Sequence, residues 1–133
     1  MTSEERGDAV ELTFPASSRF VRLSRMAAAT LAAELDFDVE EIEDIRIAVD
    51  ELVTLLVGGV DGAPVGLRFE AGDGRLAVEG RCRGATVPAA EMSDLVEAIL
   101  SATIDEHRVD LSAGHRSFSF HKVRHANGRA REQ

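Results

Sequence analysis

Apolar residues recur at spacings of three and four through the middle of the chain. Ile42, Ile45, Val49, Leu52, Val53 and Leu56 paint one stripe along a helix running from Asp38 to Val57. Asp38 can cap the free amides at its start, and Glu41 three residues on completes a capping box. Gly58 and Gly59 stop it by offering left-handed backbone cheaply. A second line, Asp44, Ala48, Glu51 and Leu55, runs beside the stripe and carries two carboxylates. Upstream, AVELTF (9–14) alternates as a first strand that Pro15 ends. Ser17 or Ser18 then caps a helix from about Arg19 to Leu35, with Phe20, Leu23, Ala27, Thr30 and Leu31 on its apolar line. The short connector Asp36-Phe37-Asp38 makes the two helices packing neighbours.

Downstream the period changes to two. Val65–Ala71 and Arg75–Arg83 alternate around Asp73-Gly74, a type I′ turn signal, and turn Leu67, Phe69, Leu76, Val78 and Cys82 toward a core. A loop over 84–90 leads to a third helix from Glu91 or Met92 to Ile104, burying Met92, Leu95, Val96, Ile99 and Leu100. His107–Leu111 and Ser117–Val123 form a last hairpin across Ala113-Gly114. The order strand, two helices, two strands, helix, two strands predicts an α+β fold. It is a two-layer sandwich, a mostly antiparallel sheet with helices on one face. Residues 1–8 are expected to be disordered, 9–123 to form the domain, and 124–133 (RHANGRAREQ) to be a flexible basic tail.

Composition narrows the function classes. With 133 residues, 44% of them hydrophobic, the chain can bury one real core. No apolar run approaches the roughly 18 residues of a membrane span, and the polar start MTSEERGDAVE is not a signal peptide. The single cysteine, Cys82, excludes an internal disulfide and a cysteine-based zinc site, so a reducing cytoplasm is expected. His107, His115, His121 and His125 make no ligand-spaced helical pair and read as strand and loop residues. A net charge of −9 argues against nucleic acid as a direct partner. From Glu34 to Glu51 there are nine acids against one base, Arg46. This is either a solvated helix face or a patch that steers a basic partner protein. Arg19, Arg22 and Arg25, three apart on the first helix, pose the same choice.

The run IEDIRIAVDE (42–51) resembles the signature helix of the anti-sigma-factor serine kinases, a branch of the GHKL (histidine-kinase-like) ATPase superfamily. The flanking pieces agree: FPAS (14–17) after the first strand, LDFD (35–38) before the acidic helix, and VDLSAGHRSFSFHKV (109–123) at the end. The resemblance covers residues 10–123. It implies the histidine-kinase-like ATPase fold and a protein that holds a sigma factor inactive. A STAS-domain anti-anti-sigma protein competes for it, and active kinases phosphorylate that competitor on serine with ATP and Mg²⁺. A homodimer through the first-strand region is implied as well.

Three positions depart from the family pattern. Its helix carries Glu-x-x-x-Asn, the Glu as base and the Asn on Mg²⁺. Glu51 is present, but the Asn position is Leu55, which offers no oxygen to a hard cation. The Asp-x-Gly-x-Gly element is matched by Gly80-Arg81-Cys82-Arg83-Gly84, without the adenine-binding Asp. The stretch 85–98 has no glycine where a glycine-rich lid should be. The expectation is an anti-sigma factor, or a regulator in that circuit, that works by sequestration with no cofactor, leaving Glu51 vestigial and Leu55, Gly80 and Gly84 at degenerate nucleotide positions. The alternative is an ATP-dependent serine kinase of a STAS-domain protein, resting on Glu51. The expected contact surface is Arg19, Arg22 and Arg25 with Glu40, Glu41 and Asp44, and no metal, membrane or direct nucleic acid is expected.

Overall fold

In the computed structural model, residues 8–125 are described. The elements are β1 (Asp8–Pro15), a 3₁₀ turn (Ser18–Phe20), α1 (Val21–Glu34), α2 (Val39–Val57), β2 (Pro64–Gly72), β3 (Arg75–Arg83), α3 (Asp94–Thr103), β4 (Glu106–Ser112) and β5 (His115–Val123). The five strands pair antiparallel throughout in the order β1-β2-β3-β5-β4. The helices cover one face, which gives the two-layer α+β sandwich expected. The expected disordered N-terminus lies outside the described residues except for Asp8, which begins β1. Most of the expected tail lies outside them too.

The alternation on the strands decides which face is buried. Val65, Leu67, Phe69 and Ala71 on β2 meet Leu76, Val78 and Cys82 on β3 and Phe118 and Phe120 on β5, all nearly without solvent exposure. From the helix layer α2 sends Ile45, Ala48, Val49, Leu52, Val53, Leu56 and Val57 onto this face. The capping box forms as expected: Glu41 N donates to Asp38 Oδ1 at 2.8 Å and Asp38 N to Glu41 Oε1 at 2.9 Å. The type I′ turn is also present, with φ of 56° at Asp73 and 71° at Gly74. At the end of α2 only Gly59 is left-handed (φ 73°); Gly58 is extended.

The phase of α1 differs from the expectation. Its buried line is Val21, Ser24, Ala28 and Ala32, while Leu23 and Met26 are 46% and 58% exposed and Thr30 faces solvent. Small residues every four positions let α1 approach α2 closely, so size rather than hydropathy selects the face. The Ser24 hydroxyl enters this contact satisfied, donating to Phe20 O at 3.0 Å. On α3, Ser93 caps the helix through Val96 N, so it starts at Asp94, two or three residues later than expected. Leu95, expected in the core, is 70% exposed, and Leu100 and Thr103 are the buried residues.

None of the three helices has a basic residue in its last turn. The cations come instead from β5 and the residue after it. Arg116 serves the end of α2, donating through Nη1 to Leu55 O at 2.9 Å and Gly58 O at 2.7 Å. Lys122 Nζ donates to Thr103 O, the last residue of α3, at 2.7 Å. Arg124 Nη1 donates to Leu35 O, the C-cap of α1, at 3.1 Å. A positive charge at the negative end of a helix is favourable, and here one strand supplies it twice and the residue after it once.

Candidate functional site

Glu51 and Leu55 lie one turn apart on α2, both half-buried, where the resemblance puts base and metal ligand. Among the described residues, no side chain donates to or pairs with the Glu51 carboxylate. Leu55 presents an alkyl side chain, and its carbonyl oxygen is taken by Arg116. Gly80 is on the core-facing side of β3. A Cβ there would fall 2.8 Å from Leu67 Cδ2 and closer still to the Phe118 ring. Two hydrophobic side chains therefore occupy the space into which an aspartate at this position would project.

The segment after Gly84 is held down on all sides. Gly84 N donates to Gly114 O at 3.2 Å, Gly114 N to Val87 O at 2.7 Å and Ala90 N to Leu111 O at 3.0 Å. Arg116 adds Nε to Pro88 O at 3.0 Å, and Val87 is 1% exposed. The stretch at the lid position is thus stitched to the β4–β5 turn and plugged by a valine. Arg116 itself is 1% exposed and joins this stretch to the end of α2. Sequence reading missed it. The alternation that turns Phe118 and Phe120 inward also turns Arg116 and Lys122 inward.

The six expected contact residues separate into two kinds. Arg19, Arg22 and Glu40 are exposed. Arg25 is half-buried and bonds Asp50 of α2 at 2.7 Å, so it ties the two helices together. Glu41, expected on the contact surface, is 7% exposed because it closes the capping box and accepts from His125 N at 2.9 Å. Asp44 pairs with Lys122 at 3.4 Å. The exposed arginines and Glu40 are not one patch. They sit near opposite ends of the α1–α2 pair, with about 18 Å of helix between Arg22 and the end of α1. Leu23 and Met26 accompany the arginines, and Glu34, Asp36 and Glu43 accompany Glu40 at the acidic corner. The expected tail residues Arg124 and His125 are instead fastened at that corner, His125 Nδ1 lying 3.3 Å from Glu41.

No family model matches the chain. A serine-protein kinase RsbW of Halalkalibacterium halodurans is 34% identical over 73 residues, 53% of this chain and 45% of the relative. That of Bacillus pumilus is 34% identical over 80 residues, 56% of this chain and 49% of the relative. The chain thus spans about half the length of the curated relatives it matches. Among solved structures, the RsbU and RsbW domains of a Mycobacterium tuberculosis protein align with a TM-score of 0.68 at 22% identity, over 88% of this chain and 32% of that one. The chain is homologous to proteins named serine-protein kinase RsbW and has the fold of that structure. No helix among the described residues is long and apolar enough to cross a membrane.

Proposed function

We propose that this chain is a sequestering protein of a sigma-factor partner-switching circuit and that it holds its partner without nucleotide. The filled space at Gly80 carries this reading. An aspartate side chain does not fit there unless Leu67 and Phe118, which already meet the strand, move aside. A hydrogen bond to a charged group contributes roughly 1.5–3 kcal/mol. Losing it together with the metal ligand at Leu55 weakens a nucleotide site about 10²–10⁴-fold. The residues present do not fit ATP-Mg, and no chemical step is assigned through it.

The α1–α2 layer is the surface through which a partner is held. Arg19 and Arg22 beside exposed Leu23 and Met26 form a charged rim around an apolar centre, and the acidic corner at Glu34, Asp36, Glu40 and Glu43 suits a basic DNA-binding sigma factor. A STAS-domain antagonist would compete for the same layer. A homodimer through β1, an edge strand of the sheet, belongs to the same proposal.

The test pairs calorimetry of ATP-Mg, titrated into the millimolar range, with capture of sigma factors in the presence and absence of nucleotide. No heat and an unchanged complex are expected. Micromolar binding, with serine phosphate appearing on a STAS-domain protein and disappearing in Glu51→Ala, would overturn the proposal in favour of the kinase. Glu51, which matches the base of the family's signature helix, is the residue that alternative rests on.

A further inference from the structure

The sheet face turned away from the helices is covered by nothing among the described residues. Its middle is low. Ala77 on β3 and Ser117 and Ser119 on β5 are small and half-buried, and they floor a furrow that follows β5. Two clefts of about 360 and 320 Å³ lie along it and share Glu79, Arg108 and Ser119, so they form one channel. From Ser117 to His121 the floor runs about 13 Å, the length of a four- or five-residue extended segment.

Charge along the channel is uneven. Arg81 and Arg83 on β3 and Arg108 on β4 are exposed around the Ser117 end, with His115 beside them. None of the three pairs with a carboxylate among the described residues. Arg68 on the same face shows the usual outcome, bound by Glu11 at 2.9 Å and Glu70 at 2.8 Å. Of the acids near the furrow, Glu79 stands where the two clefts meet and has no partner among the described residues. Asp110 accepts from Ser112 N at 3.1 Å, and Glu106 lies toward His121 at the far end. Three unpaired arginines against Glu79 leave the cleft at the Ser117 end net positive in a chain of net charge −9.

We infer that this furrow binds an extended acidic stretch of a partner protein, its carboxylates lying at Arg81, Arg83 and Arg108. Guanidinium groups accept carboxylates in a fork geometry, and the serine hydroxyls can donate to the same oxygens or to the backbone. The elongated floor suits an extended chain better than a compact anion. The surface is on the opposite layer from α1 and α2, so both can be occupied at once.

The test uses fluorescence anisotropy with a fluorescein-labelled decapeptide of alternating aspartate and serine, against an asparagine–serine control. The full chain is expected to bind the acidic peptide saturably and the control not at all, and binding should weaken several-fold when salt rises from about 50 to about 200 mM. Arg81→Glu with Arg108→Glu should lose about tenfold or more, while Arg22→Glu on the helix layer should bind as the parent does. Circular dichroism and melting of the double variant establish that it is folded. If it melts early, Ser117→Asp read in the same assay takes its place. Absence of saturable binding, equal binding by the furrow variants, or loss in Arg22→Glu would overturn the inference. So would sedimentation showing a dimer that the furrow substitutions dissociate, since a second copy would then be the occupant.

Discussion

Arg116 keeps a full charge inside the protein with no carboxylate beside it among the described residues. Carbonyl oxygens of Leu55, Gly58 and Pro88 replace its water, and the negative end of α2 supplies the field. Arg116→Met keeps most of the volume and removes every donor, leaving buried carbonyls unpaired. About 2–4 kcal/mol of stability should go with it. A thermal melt should then fall by roughly 10 °C. A shift within error would mean that water takes the guanidinium's place. Cys82 is buried on the next strand, and burial pushes its thiol up against the weaker opposing pull of Arg116. The folded protein therefore keeps this proton to higher pH than the unfolded chain. The stabilisation is full below the ordinary thiol range and declines as pH rises through it. Urea midpoints between pH 7 and 10 should fall, and Cys82→Ala should remove part of the slope. A slope identical in the two proteins would mean that other groups cause it.

At the level of elements, α1 carries exposed Arg22, proposed as a contact, three positions from Arg25, which is tied to α2. Arg22→Glu should weaken the sigma-factor complex at least severalfold and leave the melting temperature within a degree or two. Arg25→Glu breaks the bond to Asp50, which is partly solvent-screened, and should cost about 1 kcal/mol besides facing a like charge. Affinity by surface plasmon resonance and melting curves on both variants check the distinction, and equal effects on both readouts would defeat it. The two helices also mark where sequence reading succeeds and where it stops. The stripe, capping box and glycine stop of α2 were all legible, because each is a local pattern with one solution. On α1 the apolar line was read by hydropathy, whereas close packing selects Ser24, Ala28 and Ala32 by size. The emptied motif at Leu55 and Gly80 was legible as missing residues. What fills the space, Phe118 and Arg116 from strands far along the chain, is a tertiary fact that no local pattern carries.

For the molecule as a whole, exposed acids gather at the α1–α2 corner, and three unpaired arginines stand beside Glu79 at one end of the sheet's outer face. The assembly of the two layers depends on one strand. β5 lies between β3 and β4, and it or the residue after it brings the cation at the end of each helix. Proteins are synthesised from the N-terminus, so this arrangement has a consequence in time. At about 5–20 residues per second, α2 is finished roughly 3–12 s before Arg116 is added. During that interval the helix layer lacks its electrostatic closure, and β4 has no neighbour to pair with. A ribosome-bound chain in this state does not yet present a finished partner surface. A message cut short before β5 therefore yields a helix layer whose three C-terminal ends all lack their cations.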